Sequence, residues 1–381
     1  MVYLDYNASA PIDNRVLERM VDVYKNNYGN ADSRTHEYGN SARQVVEAAR
    51  QQVASLLEIY KDEVFFTSGA TESNNIVIQG LREYGEKTGK KHIVSTTIEH
   101  KAVLESVNYL GKNGFEIDLV SPDKTGRISS DDVISKIRKD TLLVCVMHVN
   151  NETGIIQPVD EIGEYLNDKE TLFHIDATQS FGKLIDELKK LKYDTLSMSA
   201  HKICGPQGIG ALILRKKHYR LPPVKNIMFG GQQERGIRPG TIPVALVAGL
   251  GKACEIAIED YYDTKLKNKS CREQLISILE SSGLEYDLNG DQNYSIDSTL
   301  SISIKGVSSE ALMLASKQFC GISNGSACNS NSYKQSYVLE AMGLPEDTIR
   351  STIRVSWGMN IDLGSIKNSF EELVNVAKTL V

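Results

Sequence analysis

Short apolar runs alternate with helix-spaced apolar patterns through most of the first 250 residues. Because a short unbroken apolar run suits a sheet covered on both faces, these runs predict buried strands. They lie at 64–67, 93–97, 142–149, 172–175, 195–198 and 211–214. One helix is expected to begin at the capping-box pattern of residues 41–44, and another to cover residues 75–81. This alternation predicts an α/β domain with a mostly parallel sheet.

The pattern changes after about residue 250. A charged helical stretch at 253–279 precedes strands at 299–304 and 352–357, with a helix beginning near Ser308 between them. The last helix carries its apolar side on Ile366, Phe370, Leu373, Val374, Ala377 and Leu380. These elements predict a smaller α+β domain. We place the large α/β domain at residues 13–258, and the small domain at residues 259–381 together with residues 1–12.

Composition narrows the class of protein. The chain has 381 residues, of which 41% are hydrophobic and 24% charged, as in ordinary globular proteins and unlike disordered or collagen-like chains. The net charge of −6 argues against direct nucleic-acid binding, which needs a basic surface. The N-terminus has no signal-peptide pattern, and the longest apolar run, 142–147, is too short to span a membrane. We therefore expect a cytoplasmic protein that binds neither membrane nor nucleic acid.

The six cysteines have neither CxxC spacing nor a Cys/His cluster, so the sequence predicts reduced thiols and no metal site. Five of them occur in or beside apolar patterns and are expected to pack: Cys145, Cys204, Cys254, Cys271 and Cys320. Cys328 lies instead in segment 321–332, which is rich in Gly, Ser and Asn and predicts an exposed loop. A thiol in such a loop is either incidental or a nucleophile.

Two segments at predicted strand ends suit a phosphorylated, ring-shaped ligand. Residues 67–75 are small and polar and lead into a helix, so they are either a phosphate site or an ordinary helix cap. Asp176 ends a buried strand, where a carboxylate needs a partner or a function. It is either a helix cap or the hydrogen-bond partner of a pyridinium N–H.

Four basic side chains stand out beside these segments. Lys202 follows a buried strand, and it is either an exposed turn residue or a desolvated amine able to bond covalently to an aldehyde. Arg354 lies mid-strand and Arg238 lies in a glycine-rich loop; each forms either a structural ion pair or a clamp for a carboxylate. His100 is expected to end a strand, where its ring would pack in the core, stack on a flat cofactor or move a proton.

The combination and order of the motifs are more specific than any one of them. The chain carries Thr-Ser-Gly-Ala-Thr-Glu-Ser (67–73), Glu-His-Lys-Ala-Val (99–103), His-Val-Asn-Asn-Glu-Thr-Gly (148–154), His-x-Asp-Ala-Thr-Gln-Ser (174–180), Ser-x-His-Lys (199–202), Arg-x-Gly-Thr (238–241) and Ser-x-Gly-Ser-Ala-Cys (323–328). In this order they resemble the pyridoxal-phosphate-dependent cysteine desulfurases of the NifS/IscS-like group. The resemblance covers the chain from Tyr3 to Trp357.

The resemblance implies a homodimer with the fold of the type I pyridoxal-phosphate-dependent transferases, which is the aspartate-aminotransferase fold. It implies that Lys202 holds the cofactor covalently, Asp176 pairs with the pyridine nitrogen, Gln179 contacts the ring hydroxyl and His100 stacks on the ring. It assigns the phosphate to Ala70, Thr71, Ser199 and His201, with Thr241 supplied by the other subunit. Asn151, also a cofactor contact, and Arg354 correspond to the residues that bind the substrate carboxylate. Catalysis falls to Cys328, Lys202 and His100.

The implied reaction converts L-cysteine to L-alanine, leaves a persulfide on Cys328 and passes sulfur to an acceptor protein. Segments 29–39, 84–93 and 227–235 are particularly similar to the desulfurase of bacterial DNA phosphorothioation, the Dnd system, although Ala31 stands where general desulfurases have proline. A housekeeping desulfurase serving iron–sulfur cluster assembly or tRNA thiolation is the nearest alternative. Another pyridoxal-phosphate enzyme of the same fold, or a non-catalytic interaction protein, would be more distant ones.

Overall fold

The computed structural model describes residues 1–324 and 335–381. Its strands are Val2–Tyr3 (β1), Val64–Thr67 (β2), His92–Thr96 (β3), Glu116–Val120 (β4), Thr141–Met147 (β5), Leu172–Asp176 (β6), Thr195–Ser199 (β7), Gly210–Leu214 (β8), Tyr286–Leu288 (β9), Thr299–Ile304 (β10), Cys320–Gly321 (β11) and Thr352–Ser356 (β12). Its helices are Asn14–Asn26 (α1), Glu37–Leu57 (α2), Ala70–Gly80 (α3), Arg82–Thr88 (α4), Lys101–Gly111 (α5), Ser130–Ser135 (α6), Val159–Leu166 (α7), Ile185–Leu188 (α8), Val244–Glu259 (α9), Tyr261–Glu280 (α10), Ser309–Ser316 (α11), Tyr337–Ala341 (α12), Glu346–Arg350 (α13) and Leu363–Leu380 (α14).

A seven-stranded sheet in the order β2-β8-β7-β6-β5-β3-β4 forms the centre of the larger part. Every pairing from β4 to β7 is parallel, and β8 runs antiparallel to both of its neighbours. Strand β8 is reversed because only residues 200–209 separate it from β7, and so short a connection joins antiparallel neighbours. The predicted α/β fold with a mostly parallel sheet is confirmed. The carboxyl ends of β2, β3, β5, β6 and β7 therefore share one edge.

A three-stranded antiparallel sheet, β12-β10-β9, and the two-strand pair β1-β11 organise the smaller part. Its hydrophobic cluster includes Leu4, Trp357 and Phe370 and is separate from the cluster around the large sheet. Helix α12 lies late in the chain, yet it packs Val338 and Leu339 into the large cluster. The predicted domain boundary at residue 258 stays a prediction; it falls beside the break between α9 and α10.

Three predicted helix starts differ from the structure. The capping box at Ser41 is wrong, because α2 begins at Glu37 and its first turn is capped by the His36 ring, which accepts the Gly39 N–H. Helix α3 begins directly after the loop that follows β2, at Ala70. The stretch at 253–279 belongs to two helices, broken at Asp260. In residues 1–324 and 335–381, no helix is both long and apolar enough to cross a membrane.

Candidate active site

A cavity of about 340 Å³ opens at the shared carboxyl edge of the large sheet. Strand ends, the first turn of α3 and the N-terminal segment converge there, as expected for ligand sites in open α/β sheets. Ten of the twelve predicted site residues line the cavity: Ala70, Thr71, His100, Asn151, Asp176, Gln179, Ser199, His201, Lys202 and Arg354. The structure thus brings together residues that are spread over 285 positions of sequence, from 70 to 354.

Lys202 ends the short 3-10 turn that follows β7, and its amine is turned into the cavity. Nζ donates to the backbone oxygen of Asn7 at 2.6 Å and to that of Ala8 at 2.7 Å. The alternative of an exposed turn lysine is therefore wrong. The two acceptors come from the N-terminal segment, for which the sequence indicated no role. They orient the amine toward the cavity.

Asp176, at the carboxyl end of β6, is buried and its carboxylate is oriented from two sides. Asn74 Nδ2 donates to Oδ2 at 2.8 Å, and the Thr178 backbone N–H donates to Oδ1 at 2.9 Å. Asn74 Oδ1 in turn accepts from Ser197 Oγ at 2.6 Å and lies 2.8 Å from His174 Nε2. Sequence reasoning assigned Asn74 no role. Its position four residues after Ala70, on the same face of α3, was the available signal.

The start of α3 provides unpaired backbone N–H groups beside polar side chains, the arrangement that binds phosphate. Ser199 Oγ accepts the Ala70 N–H at 2.7 Å, which ties the helix start to the end of β7. His201 Nδ1 lies 3.2 Å from Ser9 Oγ. Burial, with a smaller contribution from the Lys202 charge, lowers the pKa of His201 to about 4, so its ring is neutral at neutral pH.

His100 does not end a strand as expected: it lies four residues beyond β3 and caps the start of α5. Its Nδ1 accepts the Ala102 N–H at 3.1 Å, which leaves the ring proton on Nε2. Burial lowers the pKa of His100 although the Asp176 charge opposes this, so the ring is neutral. A flat neutral ring with one N–H donor therefore forms part of the cavity wall.

Arg354, in β12, is only 4% exposed and forms the opposite side of the cavity. Nη2 pairs with Asp5 Oδ1 at 2.6 Å, and Nη1 donates to the Asn151 backbone oxygen at 2.9 Å. Arg354 Nε and Asn151 Oδ1 are buried without a hydrogen-bond partner among the described residues. Buried polar atoms seldom lack partners. The Nε of Arg354 is a donor that suits an amino-acid carboxylate, whereas Asn151 Oδ1 is an acceptor that suits a donor such as an amine. Asp5 was not recognised from the sequence.

Four residues singled out from the sequence need separate comment. Gln179 lines the cavity, donating through Nε2 to the Asn7 backbone oxygen at 3.0 Å and accepting from Lys183 Nζ at 3.2 Å. Thr241 is exposed and does not line the cavity of this single chain, so its contribution from another subunit stays a prediction. Cys328 lies outside the described residues. Arg238 pairs with Glu72 at 2.9 Å, which confirms the structural ion-pair interpretation for this arginine.

The cavity residues fit pyridoxal phosphate. The start of α3 with Ser199 and His201 suits the phosphate, the Asp176 carboxylate suits a pyridinium N–H, and the Lys202 amine suits the aldehyde. Arg354 Nε has no hydrogen-bond partner among the described residues, so it can donate to the carboxylate of an amino acid bound beside that cofactor. The individual roles of these residues stay predictions, but their joint placement agrees with the set that the resemblance implied.

Glu99, next to His100, is a buried carboxyl group whose protonation state can be tested by experiment. It is fully buried, and Oε1 accepts from Thr96 Oγ1 and from the Met147 N–H, both at 2.8 Å. Burial raises its pKa from 4.5 to about 8. Between these values the folded state holds a proton that the unfolded chain releases, so this group's contribution to stability is full below pH 4.5 and is lost as the pH rises to 8.

Glu99→Gln removes this titration and keeps an acceptor for both donors. Over that pH range, we expect the wild type to lose stability relative to the variant, by up to about 1.4 kcal/mol per pH unit. Urea unfolding of both proteins at several pH values, with equal cofactor loading, measures the difference. Parallel pH profiles would show that Glu99 is ionised in the folded protein.

Comparison with known proteins agrees with this geometry. Residues 2–368 match the family model of the class-V aminotransferases. The cysteine desulfurase IscS of Anaeromyxobacter dehalogenans (strain 2CP-C) is 42% identical over 359 residues, covering 94% of this chain and 87% of the relative. A solved NifS-like protein is 35% identical with a TM-score of 0.91 and full coverage of both chains. The crystal structure of DndA from Streptomyces lividans is 42% identical with a TM-score of 0.80, covering 94% of this chain and 99% of that one.

The match with the family model and the IscS relatives extends over nearly the whole chain. The expected type I transferase fold and the expected cofactor are both confirmed. This chain therefore belongs to the class-V aminotransferase family and is a pyridoxal-phosphate-dependent cysteine desulfurase.

Proposed function

We propose that this desulfurase forms a persulfide on Cys328 and delivers its sulfur to an acceptor protein of DNA phosphorothioation. The observation that carries the chemistry is that one cavity brings together the Lys202 amine, the Asp176 carboxylate and the Nε of Arg354, which has no hydrogen-bond partner in residues 1–324 and 335–381. An amino acid bound there places its carboxylate at Arg354 and its amino group toward Lys202. L-Cysteine carries both of these groups and therefore fits this arrangement.

Bound pyridoxal phosphate supplies an electron sink for the bonds at the substrate Cα. Asp176 holds the proton on the pyridine nitrogen, and Asn74 and the Thr178 N–H keep its carboxylate aimed at that position. Arg354 and Asn151 fix the substrate carboxylate and so set the orientation of the Cα–H bond. Lys202 Nζ would hold the aldehyde of the cofactor, and it is the cavity amine that would take the proton from the substrate Cα.

The sulfur step needs a thiolate. Cys328 Sγ attacks the sulfur of the substrate, an S–S bond forms, and the C–S bond breaks with its electron pair passing to carbon. That carbon then takes a proton, so one L-cysteine and one thiol give one L-alanine and one persulfide without an outside oxidant. The Nε2–H of His100 and the Lys202 amine are the cavity groups able to move this proton.

Peptide mass spectrometry tests the role of Cys328. After incubation with L-cysteine in the absence of reductant, the wild-type peptide should gain one sulfur while alanine is released. We expect Cys328→Ala to lose the label and to release alanine about 10²-fold more slowly or worse. The matched control is Cys320→Ala, whose buried thiol has a pKa raised to about 11 and should be unreactive. Wild-type alanine release by Cys328→Ala would indicate lyase chemistry instead.

Two observations support the assignment of the acceptor. The chain aligns with nearly the whole of the DndA chain, and segments 29–39, 84–93 and 227–235 are those in which the sequence resembles the desulfurase of that system. The net charge of −6 favours handing sulfur to a protein over contact with DNA. We further propose a homodimer, in which the exposed Thr241 completes the phosphate site of the second subunit. The IscS relatives support a second candidate, sulfur supply for iron–sulfur clusters.

Deletion of the gene from its source organism separates the two acceptors. Under our proposal, phosphorothioate-linked dinucleotides disappear from nuclease digests of genomic DNA, and the activities of iron–sulfur enzymes stay unchanged. Re-expression of the wild type should restore the linkage, and re-expression of Cys328→Ala should not. Loss of iron–sulfur enzyme activity with the DNA unaltered would assign the chain to cluster assembly.

A further inference from the structure

Glu152 is a buried carboxyl group beside the site to which neither the cavity nor the proposed chemistry gives a role. It directly follows Asn151, and the residue is only 4% exposed. Its backbone N–H donates to Asn150 Oδ1 at 2.9 Å. Burial raises the pKa of Glu152, against the lowering effects of the Ser336 hydroxyl and the nearby Arg354 and Lys101 charges. A carboxyl group is rarely buried so deeply unless it has a specific partner.

The partner of Glu152 is Ser336, whose hydroxyl donates to Oε2. Ser336 is also 4% exposed and caps α12, since its Oγ accepts the Leu339 N–H at 3.1 Å. The next residue, Tyr337, donates through its hydroxyl to the Glu99 backbone oxygen at 2.8 Å. The start of α12 is therefore tied by two side chains to the segments that carry Asn151 and His100.

This attachment lies close in sequence to the nucleophile, because Ser336 follows Cys328 by eight positions. On the other side of Cys328, Ser323 and Arg354 exchange backbone hydrogen bonds of 3.2 Å and 2.5 Å. The described chain on both sides of the nucleophile is thus joined to the residues that bind the substrate carboxylate: to Arg354 before Cys328, and through Glu152 to Asn151 after it.

We propose that Glu152 is a positioning residue for sulfur transfer, acting through Ser336, which it holds at the start of α12, eight positions after Cys328. This inference rests on the proposed role of Cys328 as sulfur acceptor. Glu152 touches neither the cavity wall nor the cofactor site, so its loss should slow the attack of Cys328 on substrate sulfur and leave substrate binding intact. A purely structural carboxyl group would instead affect stability, cofactor retention and every step of turnover together.

Four variants test this assignment. Glu152→Leu and Ser336→Ala break the pair, whereas Glu152→Gln keeps an acceptor for the Ser336 hydroxyl. Ser308→Ala is the matched control, since Ser308 caps α11 in the same way, accepting the Ala311 N–H, with no link to the site. Substrate binding is read from the change in cofactor absorbance on titration with L-cysteine. Sulfur transfer is read from the rate at which the Cys328 peptide gains sulfur at saturating L-cysteine.

We expect Glu152→Leu and Ser336→Ala to slow persulfide formation about tenfold or more, as the loss of one buried hydrogen bond allows. The half-saturating L-cysteine concentration and the cofactor content should stay close to wild type. The unfolding temperature should fall in Ser336→Ala, as in Ser308→Ala, because each variant loses a helix cap. Glu152→Gln should recover the rate to within about twofold, and Ser308→Ala should match the wild-type rate.

Three results would overturn the proposal: a wild-type persulfide rate in Glu152→Leu, a Glu152→Gln variant as slow as Glu152→Leu, or parallel losses of binding, cofactor and sulfur transfer. The wild type in the same experiment separates this inference from the proposed function. If the wild type gains sulfur on Cys328, the variants test Glu152 alone. If it gains none, the proposed function is wrong and the role of Glu152 falls with it.

Discussion

Replacing Lys202 by alanine is expected to slow alanine formation from L-cysteine by about 10³-fold or more, because one side chain performs two tasks. Its amine would hold the cofactor aldehyde, and it would also move the proton at the substrate Cα. In the structure, Nζ donates to the backbone oxygens of Asn7 and Ala8. Nothing else described in the cavity is a primary amine, so no neighbour replaces it.

The Lys202→Arg variant distinguishes the covalent and proton-transfer roles of the amine from the effect of its positive charge. A guanidinium keeps the positive charge and can donate to the same two oxygens, but it neither bonds to an aldehyde nor gives up its proton at neutral pH. Both variants should therefore be equally inactive. Borohydride treatment of the wild type should fix the cofactor to the peptide that contains Lys202, and neither variant should be labelled there. Lys112→Ala, at an exposed position, is the control. Turnover retained by Lys202→Arg would show that only the charge matters.

Asp176→Asn is expected to lower the turnover rate about 10²- to 10³-fold, the usual effect of removing one preorganised electrostatic partner. A neutral amide cannot hold a proton on the pyridine nitrogen as a carboxylate does, so the ring accepts electrons less readily. The cavity should still bind the cofactor, since its phosphate and aldehyde contacts come from other residues. Turnover and cofactor content, measured on the same preparation, distinguish these two effects. Wild-type turnover would exclude Asp176 from the reaction.

Asn74→Ala tests how much the orientation of the Asp176 carboxylate contributes to turnover. It removes the donor to Asp176 Oδ2 but leaves the carboxylate, its charge and the Thr178 N–H in place. We expect a loss of about tenfold, smaller than for Asp176→Asn, because the charge persists and only its orientation is relaxed. Equal losses in the two variants would mean that Asn74 contributes more than orientation.

Local patterns were sufficient for six of the seven strands of the large sheet, since β4 was not predicted, whereas most of the site residues came from the family resemblance. Buried strands appear in the sequence as short apolar runs, so β2 and β10 were predicted with their observed bounds. The ends of predicted strands then drew attention to Asp176 and Lys202. Helix starts were predicted less well. The cap of α2 is the ring of His36, a side chain outside the usual set of capping residues, and so the sequence favoured Ser41 instead.

The contacts that make the site work join residues that no local pattern connects. Asp5 reaches Arg354 across 349 positions, Asn7 receives Lys202 across 195, and Glu152 pairs with Ser336 across 184. Periodicity records which face of an element is buried, but it carries no information about which distant polar group shares that burial. By itself, then, the sequence determined the class of fold, the cofactor chemistry and the motif residues. The tertiary structure decided which carbonyls, carboxylates and hydroxyls hold those residues in place, because only the packed chain excludes water and makes each buried polar group find a partner.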